Sequence, residues 1–510
     1  MKGIADWIDK RAFITPERTA LMDERRQLSY LEMSAEVNRL ARMLDDRYGL
    51  QPGERVGILA ANSIEYLLTL FAIAKLGCIA VVLNIRLTPD ELEYQLNDSG
   101  TRILIAETAY RIEGEGLLET TGIQDILWYD HREESPMQLC NLSAAYPAEL
   151  LTRKEADGNS PFIICYTSGT TGRPKGAVLT QENMFWNAVN NVLALDLTSH
   201  DKSLTLLPLF HIGGIGLFAL PTLFAGGAVI VPNRFDPEKA LQLIEEHAVT
   251  IVMGVPTIYD YIQKSPNFET ANLQSIRWFY CGGAPCSHEL IHIYLERGLT
   301  FAQGFGMTEA SPTVFMTSRE DYTRKIGSIG KPVMFSEIRV VDEGGRDVSC
   351  GEIGELLIKG GNIMQGYWNR PEATAATFRD GWLLTGDLVT QDEEGFVYIV
   401  GRKKDMMISG GENIYPLEVE QVIGQLSAVD EVAVIGMADP KWGEVPVAVI
   451  SVKAGHELTM DDVKNHCFKR LAKYKVPVMV RFVSDLPKNA TGKIDKKMIK
   501  TDFMKEEQHG

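Results

Sequence analysis

The feature that most constrains the fold is a rhythm. Short apolar runs, "RVGILA" at 55–60, "CIAVVL" at 78–83 and "RILIA" at 102–106, alternate with segments whose apolar residues recur at helical spacing. Runs that are apolar throughout suit strands covered on both faces. Strands separated by a helix's length of chain pair in parallel, because that is the length a crossover needs. Helix starts are marked as well. Ser29 and Glu32 form a capping box ahead of Val37, Leu40, Ala41 and Leu44, Asn62 and Ser63 precede a helix running to Gly77, and 89–97 reads as another helix. The rhythm resumes after residue 160 with "FIICY", "AVIVP", a helix over Pro237–His247, "TIVMGV" and "WFYCGGA".

Two further textures follow. Residues 327–402 carry short strands and turn signals such as "DEGG", which predicts a β-rich subdomain. Beyond them lies a compact pattern: a helix over 416–426, "EVAVIGM", "VAVISV", a helix after Thr459, and "VMVRFV". A chain of 510 residues exceeds what one core supports. The expectation is an α/β protein with a large N-terminal domain, 1–403, of layered parallel sheets, helices and a β-rich subdomain. A small mobile C-terminal α+β domain, 404–510, completes it.

Composition narrows the function. Apolar residues make up 45% and charged residues 23%, as in ordinary soluble proteins, and the net charge is −17. That charge excludes a surface holding nucleic acid by general phosphate attraction, so any anionic ligand must be held locally. From Arg402 onward there are 17 basic and 16 acidic residues, so the acidity belongs to the rest of the chain. Seven scattered cysteines form no framework and no secretory leader pattern opens the sequence, so a reducing cytoplasm is expected, with Cys281 and Cys286 as buried thiols. The uncharged run at 212–231 is long enough to span a membrane, but its five glycines and Pro221 favour a buried α/β connection.

Two glycine-rich signals compete for phosphate chemistry. "YTSGTTGRPKGA" at 166–177 offers backbone N–H groups, hydroxyls and Lys175 to a polyphosphate. It is not the GxxxxGK[ST] loop, since Pro174 replaces the second glycine and Gly176 follows the lysine. A plain hairpin turn is the blander reading. "GIGLFA" at 214–219, with Asp236 further on, matches a dinucleotide fingerprint, but "PLFHIG" is a poor strand and Pro221 sits where the receiving helix should run.

"YTSGTTGRPKG" resembles the signature of the adenylate-forming superfamily of acyl-CoA synthetases, luciferases and adenylation domains. "LPLFHIGG" at 207–214, "GGAP" at 282–285, "QGFGMTE" at 303–309, "TGDL" at 385–388, "GRKKDMMISGGENIYP" at 401–416 and "PKNATGKI" at 487–494 follow in that family's order. The resemblance covers nearly the whole chain. It implies that a carboxylate attacks the α-phosphorus of ATP to give an acyl-adenylate, and that coenzyme A then displaces AMP. Both steps build negative charge, so cations and oriented donors should dominate catalysis.

The resemblance also implies roles. The loop with Thr167, Ser168, Gly169, Thr170, Thr171 and Gly172 would cradle the outer phosphates with Lys175. Thr308 would donate to the α-phosphate and Glu309 would hold Mg²⁺, a cation preferring oxygen ligands. Asp387 and Arg402 match the ribose contacts. Gly283, Ala284 and Pro285, with Gln303, Gly304 and Phe305, match the stretches that sandwich adenine. Lys493 corresponds to the lysine that bridges carboxylate and α-phosphate, and is the expected main catalytic residue of the first half-reaction. Lys404 sits at the hinge position, and Ser409, Gly410 and Gly411 would face the pantetheine arm after the small domain rotates.

By the same analogy the acyl pocket holds Phe210, His211, Val255, Gly282, Gly304 and Met307. No Arg or Lys interrupts these stretches, so a second substrate carboxylate would be left unpaired at a cost. An apolar monocarboxylate is expected. Glycines at 282 and 304 are read as leaving depth, which inclines the expectation to medium- or long-chain fatty acids. An aryl acid of benzoate, cinnamate or succinylbenzoate type is the alternative. A ligase loading a carrier protein is a second alternative, disfavoured because the sequence stops soon after Lys493. Lys493, Glu309 and Asp387 together argue against a non-catalytic nucleotide sensor. The expected partners are the acid, ATP, Mg²⁺ and coenzyme A, with no nucleic acid and no transmembrane segment; a homodimer is allowed.

Overall fold

The alternation of apolar runs and helices folds into two mostly parallel sheets. The computed structural model describes residues 3–130, 137–151, 157–167, 173–489 and 493–507. The chain divides into two units, Met1–Glu337 with Ile358–Leu383, and Ile338–Leu357 with Leu384–Gly510.

In the first unit a seven-stranded sheet runs in the spatial order Asp125–Tyr129, Ile103–Glu107, Arg55–Leu59, Ile79–Val82, Pro161–Thr167, Lys175–Thr180 and Gly366–Tyr367. The first five strands are parallel and the last two join antiparallel. A nine-stranded sheet is parallel through its middle and antiparallel at both ends. The predicted helix signals are present. Ser29 and Glu32 close a capping box on Tyr30–Tyr48, and Thr88 and Glu91 do the same for Pro89–Ser99. Ser63 caps Ile64–Lys75. Asn62 does not cap that helix; its amide donates to Leu207 O (2.9 Å) and accepts from Leu209 N (2.7 Å), pinning the loop that carries Phe210 and His211.

The apolar run at 212–231 is a π-helical turn (Gly214–Ala219), a short helix (Leu220–Ala225) and a strand (Ala228–Ile230). Among the described residues no helix is long and apolar enough to cross a membrane. The dinucleotide reading of "GIGLFA" fails here, because no strand leads into it and its glycines serve packing. A Cβ on Gly214 would stand 2.2 Å from Pro208 O, and one on Gly216 2.6 Å from Ser311 O. Asp236 is the N-cap of Pro237–His247, accepting from Lys239 N at 2.8 Å.

The second unit contains a five-stranded sheet of Met407–Ser409, Glu412–Ile414, Val429–Asp439, Gly443–Val452 and Met479–Val483. Successive side chains of a strand face opposite ways, and both faces are used. Val434, Ala448 and Ile450 pack with Val419, Ile423, Val463 and Cys467 from Pro416–Ile423 and Met460–Phe468. Ala433, Ile435, Val447 and Val449 pack with Ile499 and Phe503 of Lys496–Glu507. The predicted α+β pattern is therefore a sheet with helices on each side. The β-rich stretch expected at 327–402 is shared between the two units, and its later strands place Asp387 opposite Arg402.

Because Asp236 acts as a cap, Asp236→Ala should lower stability by about 1 kcal/mol. Chemical denaturation should register that loss while the KM for ATP stays unchanged; a raised nucleotide KM would restore a ligand role.

Candidate active site

The glycine-rich loop connects two antiparallel strands, Pro161–Thr167 and Lys175–Thr180, whose last pair is Thr167 opposite Lys175. A Walker loop leads directly into a helix, whereas here a strand intervenes before Gln181–Leu195, so the hairpin geometry is real. Ser168, Gly169, Thr170, Thr171 and Gly172 lie outside the described residues. The base of the hairpin is anchored on the helix Pro89–Ser99. Tyr166 donates to Asp98 Oδ2 (2.8 Å) and Tyr94 to Pro174 O (3.0 Å), while Arg173 lies 5.4 Å from the Tyr94 ring centroid. Arg370 pairs with the other oxygen of Asp98. Burial, reinforced by the Asp98 carboxylate, pushes the Tyr166 phenol up, so it remains a donor.

A second backbone connection brings the "GMTE" turn to this hairpin. Residues Gly366–Tyr367 pair antiparallel with Ala177 and Val178. Gln365 N donates to Val178 O (3.0 Å), Trp368 N to Gly176 O (2.8 Å) and Met364 N to Glu309 O (2.8 Å). Asn362 adds amide bonds to Ala310 O (3.0 Å) and Thr313 O (2.7 Å). Glu309 is consequently buried, on the short turn Thr308–Ala310, and its Oε1 accepts from Tyr367 at 2.8 Å. The Lys175 ammonium stands 5.2 Å from the centroid of the same Tyr367 ring.

Glu309 fits a magnesium site of one kind only. Among the described residues no group of three or more His, Cys, Asp or Glu gathers to enclose a metal ion. A single buried carboxylate beside a phosphate-seeking lysine suits an ion that keeps waters and shares oxygens with a nucleotide.

The remaining sequence candidates of this unit occupy the ends of neighbouring parallel strands, where open α/β sheets bind ligands. Gly283, Ala284 and Pro285 are exposed just beyond Trp278–Cys281, with Gly283 at φ +81°. Gln303, Gly304 and Phe305 end Phe301–Gly306 and are half-buried, as are Met307 and Thr308. Val255 follows Ile251–Gly254, and the Phe210 and His211 rings lie 4.9 Å apart. The expectation that Gly282 and Gly304 leave depth is corrected. A Cβ on Gly304 would lie 2.8 Å from both Phe315 O and the Tyr280 ring, and one on Gly282 would lie 3.1 Å from Met253 Cε. Protein atoms already fill the space behind both glycines.

In the second unit three candidates converge. Arg402 Nε pairs with Asp387 Oδ1 at 2.8 Å, and Arg402 Nη1 donates to Thr385 O at 3.1 Å. Lys493 retains accessible surface, yet its surroundings hold its pKa below the usual lysine value, first through lost solvation and then through Arg402, while Asp387 acts the other way. Lys404 is exposed on the turn Lys403–Asp405. Ser409 is buried, and Gly410 (φ +60°) and Gly411 (φ +89°) form the tight turn between Met407–Ser409 and Glu412–Ile414. These two glycines meet a demand of the fold itself, because both need positive φ and a Cβ on Gly410 would strike the Trp442 ring at 2.8 Å.

The model of the AMP-binding enzyme family matches residues 8–368, and that of the AMP-binding enzyme C-terminal domain matches 418–493. The chain belongs to the AMP-binding enzymes. It is 42% identical to a feruloyl-CoA synthase of Amycolatopsis over 98% of this chain and 99% of that one. It is 36% identical to a long-chain-fatty-acid–CoA ligase of Mycobacterium tuberculosis over 99% of both. The fold superposes with a TM-score of 0.86 on o-succinylbenzoate coenzyme A synthetase of Bacillus subtilis in complex with ATP and magnesium ion, at 34% identity, covering 97% of this chain and 99% of that one. This AMP-binding enzyme is accordingly an AMP-forming acid–CoA ligase of the adenylate-forming superfamily, using ATP, Mg²⁺ and coenzyme A.

Sequence reasoning missed Tyr367 and the Asp98 anchor of this AMP-binding enzyme. The signal for Tyr367 was present in "GYW", an isolated extended tripeptide before a proline-started helix, but its partners are 58 and 192 residues away in the chain. Asp98 ties together Tyr166 and Arg370, so Asp98→Asn should cost about 1.5–3 kcal/mol, the range for hydrogen bonds to a charged group. Thermal unfolding of the purified variant measures it, and an unchanged Tm would show that the anchor carries no load.

Proposed function

We propose that this enzyme activates an aromatic or arylalkenoic monocarboxylic acid of the hydroxycinnamate class. The observation that supports this reading is the close packing at Gly304, where a Cβ would lie 2.8 Å from Phe315 O and from the Tyr280 ring, so that this glycine is taken up by protein contacts instead of adding room for a long alkyl chain. Tyr280 is itself held in place, accepting from Thr317 N at 2.7 Å and packing edge-on to Phe218. A flat ring-bearing acid needs less depth, and the feruloyl-CoA synthase shares more of this sequence than the fatty-acid ligase does, 42% against 36%. The absence of Arg and Lys from the stretches 207–216, 253–258, 280–285 and 303–307 weighs against a dicarboxylic substrate.

In this reading the carboxylate oxygen attacks the α-phosphorus of ATP and pyrophosphate leaves. The sulfur of coenzyme A then attacks the acyl carbon and AMP leaves. Lys175 and the hairpin hold the outer phosphates, Thr308 donates to the α-phosphate, and Glu309 holds the magnesium ion, which would neutralise phosphate charge when bound. Asp387 and Arg402 take the ribose, and Gly283 to Pro285 with Gln303 to Phe305 enclose adenine. Phe210, His211, Val255 and Met307 face the acid. Lys493 neutralises charge between carboxylate and α-phosphate; the anions arriving there raise its pKa again and keep it protonated. Between the half-reactions residues 404–510 turn about Lys404 and bring Ser409, Gly410 and Gly411 to the pantetheine arm.

With coenzyme A and ATP saturating, AMP release across hydroxycinnamates, benzoates and fatty acids of graded length should give the highest kcat/KM with a hydroxycinnamate. An optimum at a long saturated chain would instead restore the fatty-acid reading. Lys493→Ala should reduce acid-dependent ATP–pyrophosphate exchange by about 10²–10³-fold, the cost of losing one preorganised charge-stabilising donor. Thioester formation from supplied acyl-adenylate should be spared, and equal loss of both activities would contradict the division of labour.

A further inference from the structure

We propose that Tyr367 is a positioning residue that sets the Mg²⁺-binding carboxylate and the phosphate-binding lysine against each other. The inference rests on the roles given above to Glu309 and Lys175. One side chain makes both contacts. Its hydroxyl donates to Glu309 Oε1 at 2.8 Å, and its ring centroid lies 5.2 Å from the Lys175 ammonium.

The backbone leaves this side chain little freedom. Tyr367 pairs with Ala177, its N–H donates to Thr374 Oγ1 (2.9 Å), and the flanking residues bond to Gly176, Val178 and Glu309. Gly366 permits the close approach, since a Cβ there would lie 2.7 Å from the Thr374 methyl group. The strand that starts at Lys175 and the turn that carries Glu309 thus share a single rigid spacer. A carboxylate with one oxygen fixed by a phenol presents the other in a set direction. A ring face turned to an ammonium attracts it without cancelling its charge toward phosphate. A second carboxylate in place of Tyr367 would neutralise the lysine, and an aliphatic residue would leave both groups unguided.

The test separates the hydroxyl from the ring. Tyr367→Phe keeps the ring and removes the donor; the Mg²⁺ concentration for half-maximal ATP–pyrophosphate exchange should rise about tenfold, the usual effect of removing a partner of a metal-binding carboxylate. Mn²⁺ affinity in the presence of ATP, read by electron paramagnetic resonance, should fall by the same factor with the KM for the acid unchanged. Tyr367→Leu removes the ring too and should raise the KM for ATP a further two- to fivefold, about the strength of a surface cation–π contact. In a double-mutant cycle, adding Tyr367→Phe to Glu309→Gln should leave Mg²⁺ dependence and Mn²⁺ affinity where Glu309→Gln put them. Wild-type Mn²⁺ affinity in Tyr367→Phe, with Glu309→Gln clearly impaired, overturns the role of Tyr367 alone. Wild-type Mn²⁺ affinity in Glu309→Gln overturns it together with the magnesium assignment. A Tyr367→Leu protein that does not fold shifts the decision to Tyr367→Phe and the cycle, which do not require it.

Discussion

Residues 364–368 carry backbone hydrogen bonds in two directions, from Met364 to Glu309 and from Gln365 and Trp368 to the strand that begins at Lys175. This short pairing brings a lysine and a carboxylate, distant in sequence, to the two sides of one tyrosine. The hairpin belongs to the edge of the seven-stranded sheet, and the "GMTE" turn lies between the last strands of the nine-stranded one. Side chains alone would make a poor link, because each long rotamer fixed costs conformational entropy. Main-chain bonds between extended segments fix direction at lower cost, and the remaining gap is spanned by a phenol ring, which has only two soft torsions.

A protein with a net charge of −17 still has to attract a polyphosphate and a carboxylate. Two local arrangements answer that demand. In the first unit the Lys175 charge lies over an aromatic face. In the second, Arg402 and Lys493 repel each other while Asp387 binds Arg402 directly. Burial first, and that repulsion second, lower the Lys493 pKa, while Asp387 acts the other way. Electrostatics of this kind are organised before the ligand arrives, so little reorganisation accompanies the build-up of charge.

Much of this could be read from the chain before the fold was known. The capping box at Ser29–Glu32 lies within a few residues of its partners, so local chemistry defines it. Buried parallel strands show as uninterrupted apolar runs for the same reason. The phosphate hairpin, the "GMTE" turn and Lys493 were legible as motifs. What escaped depends on distance. Asn62 stood at a helix start and is a clamp on 207–209, and Asp236 stood at the spacing of a dinucleotide fingerprint and is a cap. Glycine misled most, because the sequence does not say what stands where its side chain would be. At 304 it is Tyr280 and at 214 the Pro208 carbonyl, and only the folded chain shows that.

The case of Gly304 bears on how selective the enzyme is. Tyr280, which fills the space behind it, accepts a hydrogen bond from Thr317 N (2.7 Å) and donates to Thr317 O (3.3 Å), while Trp278 and Phe218 pack on its ring. To yield to a longer substrate the ring would have to give up both hydrogen bonds inside the core, and each buried group left unpaired costs about 1–3 kcal/mol. Binding a few extra methylenes returns about 0.8 kcal/mol apiece, so several must be accommodated before the exchange breaks even. A flat acid that ends short of Tyr280 faces no such exchange. On the reading proposed above, the strand end and its buried tyrosine would act as a floor held by hydrogen bonds to Thr317, and discrimination between ring and chain would follow from the stiffness of that floor.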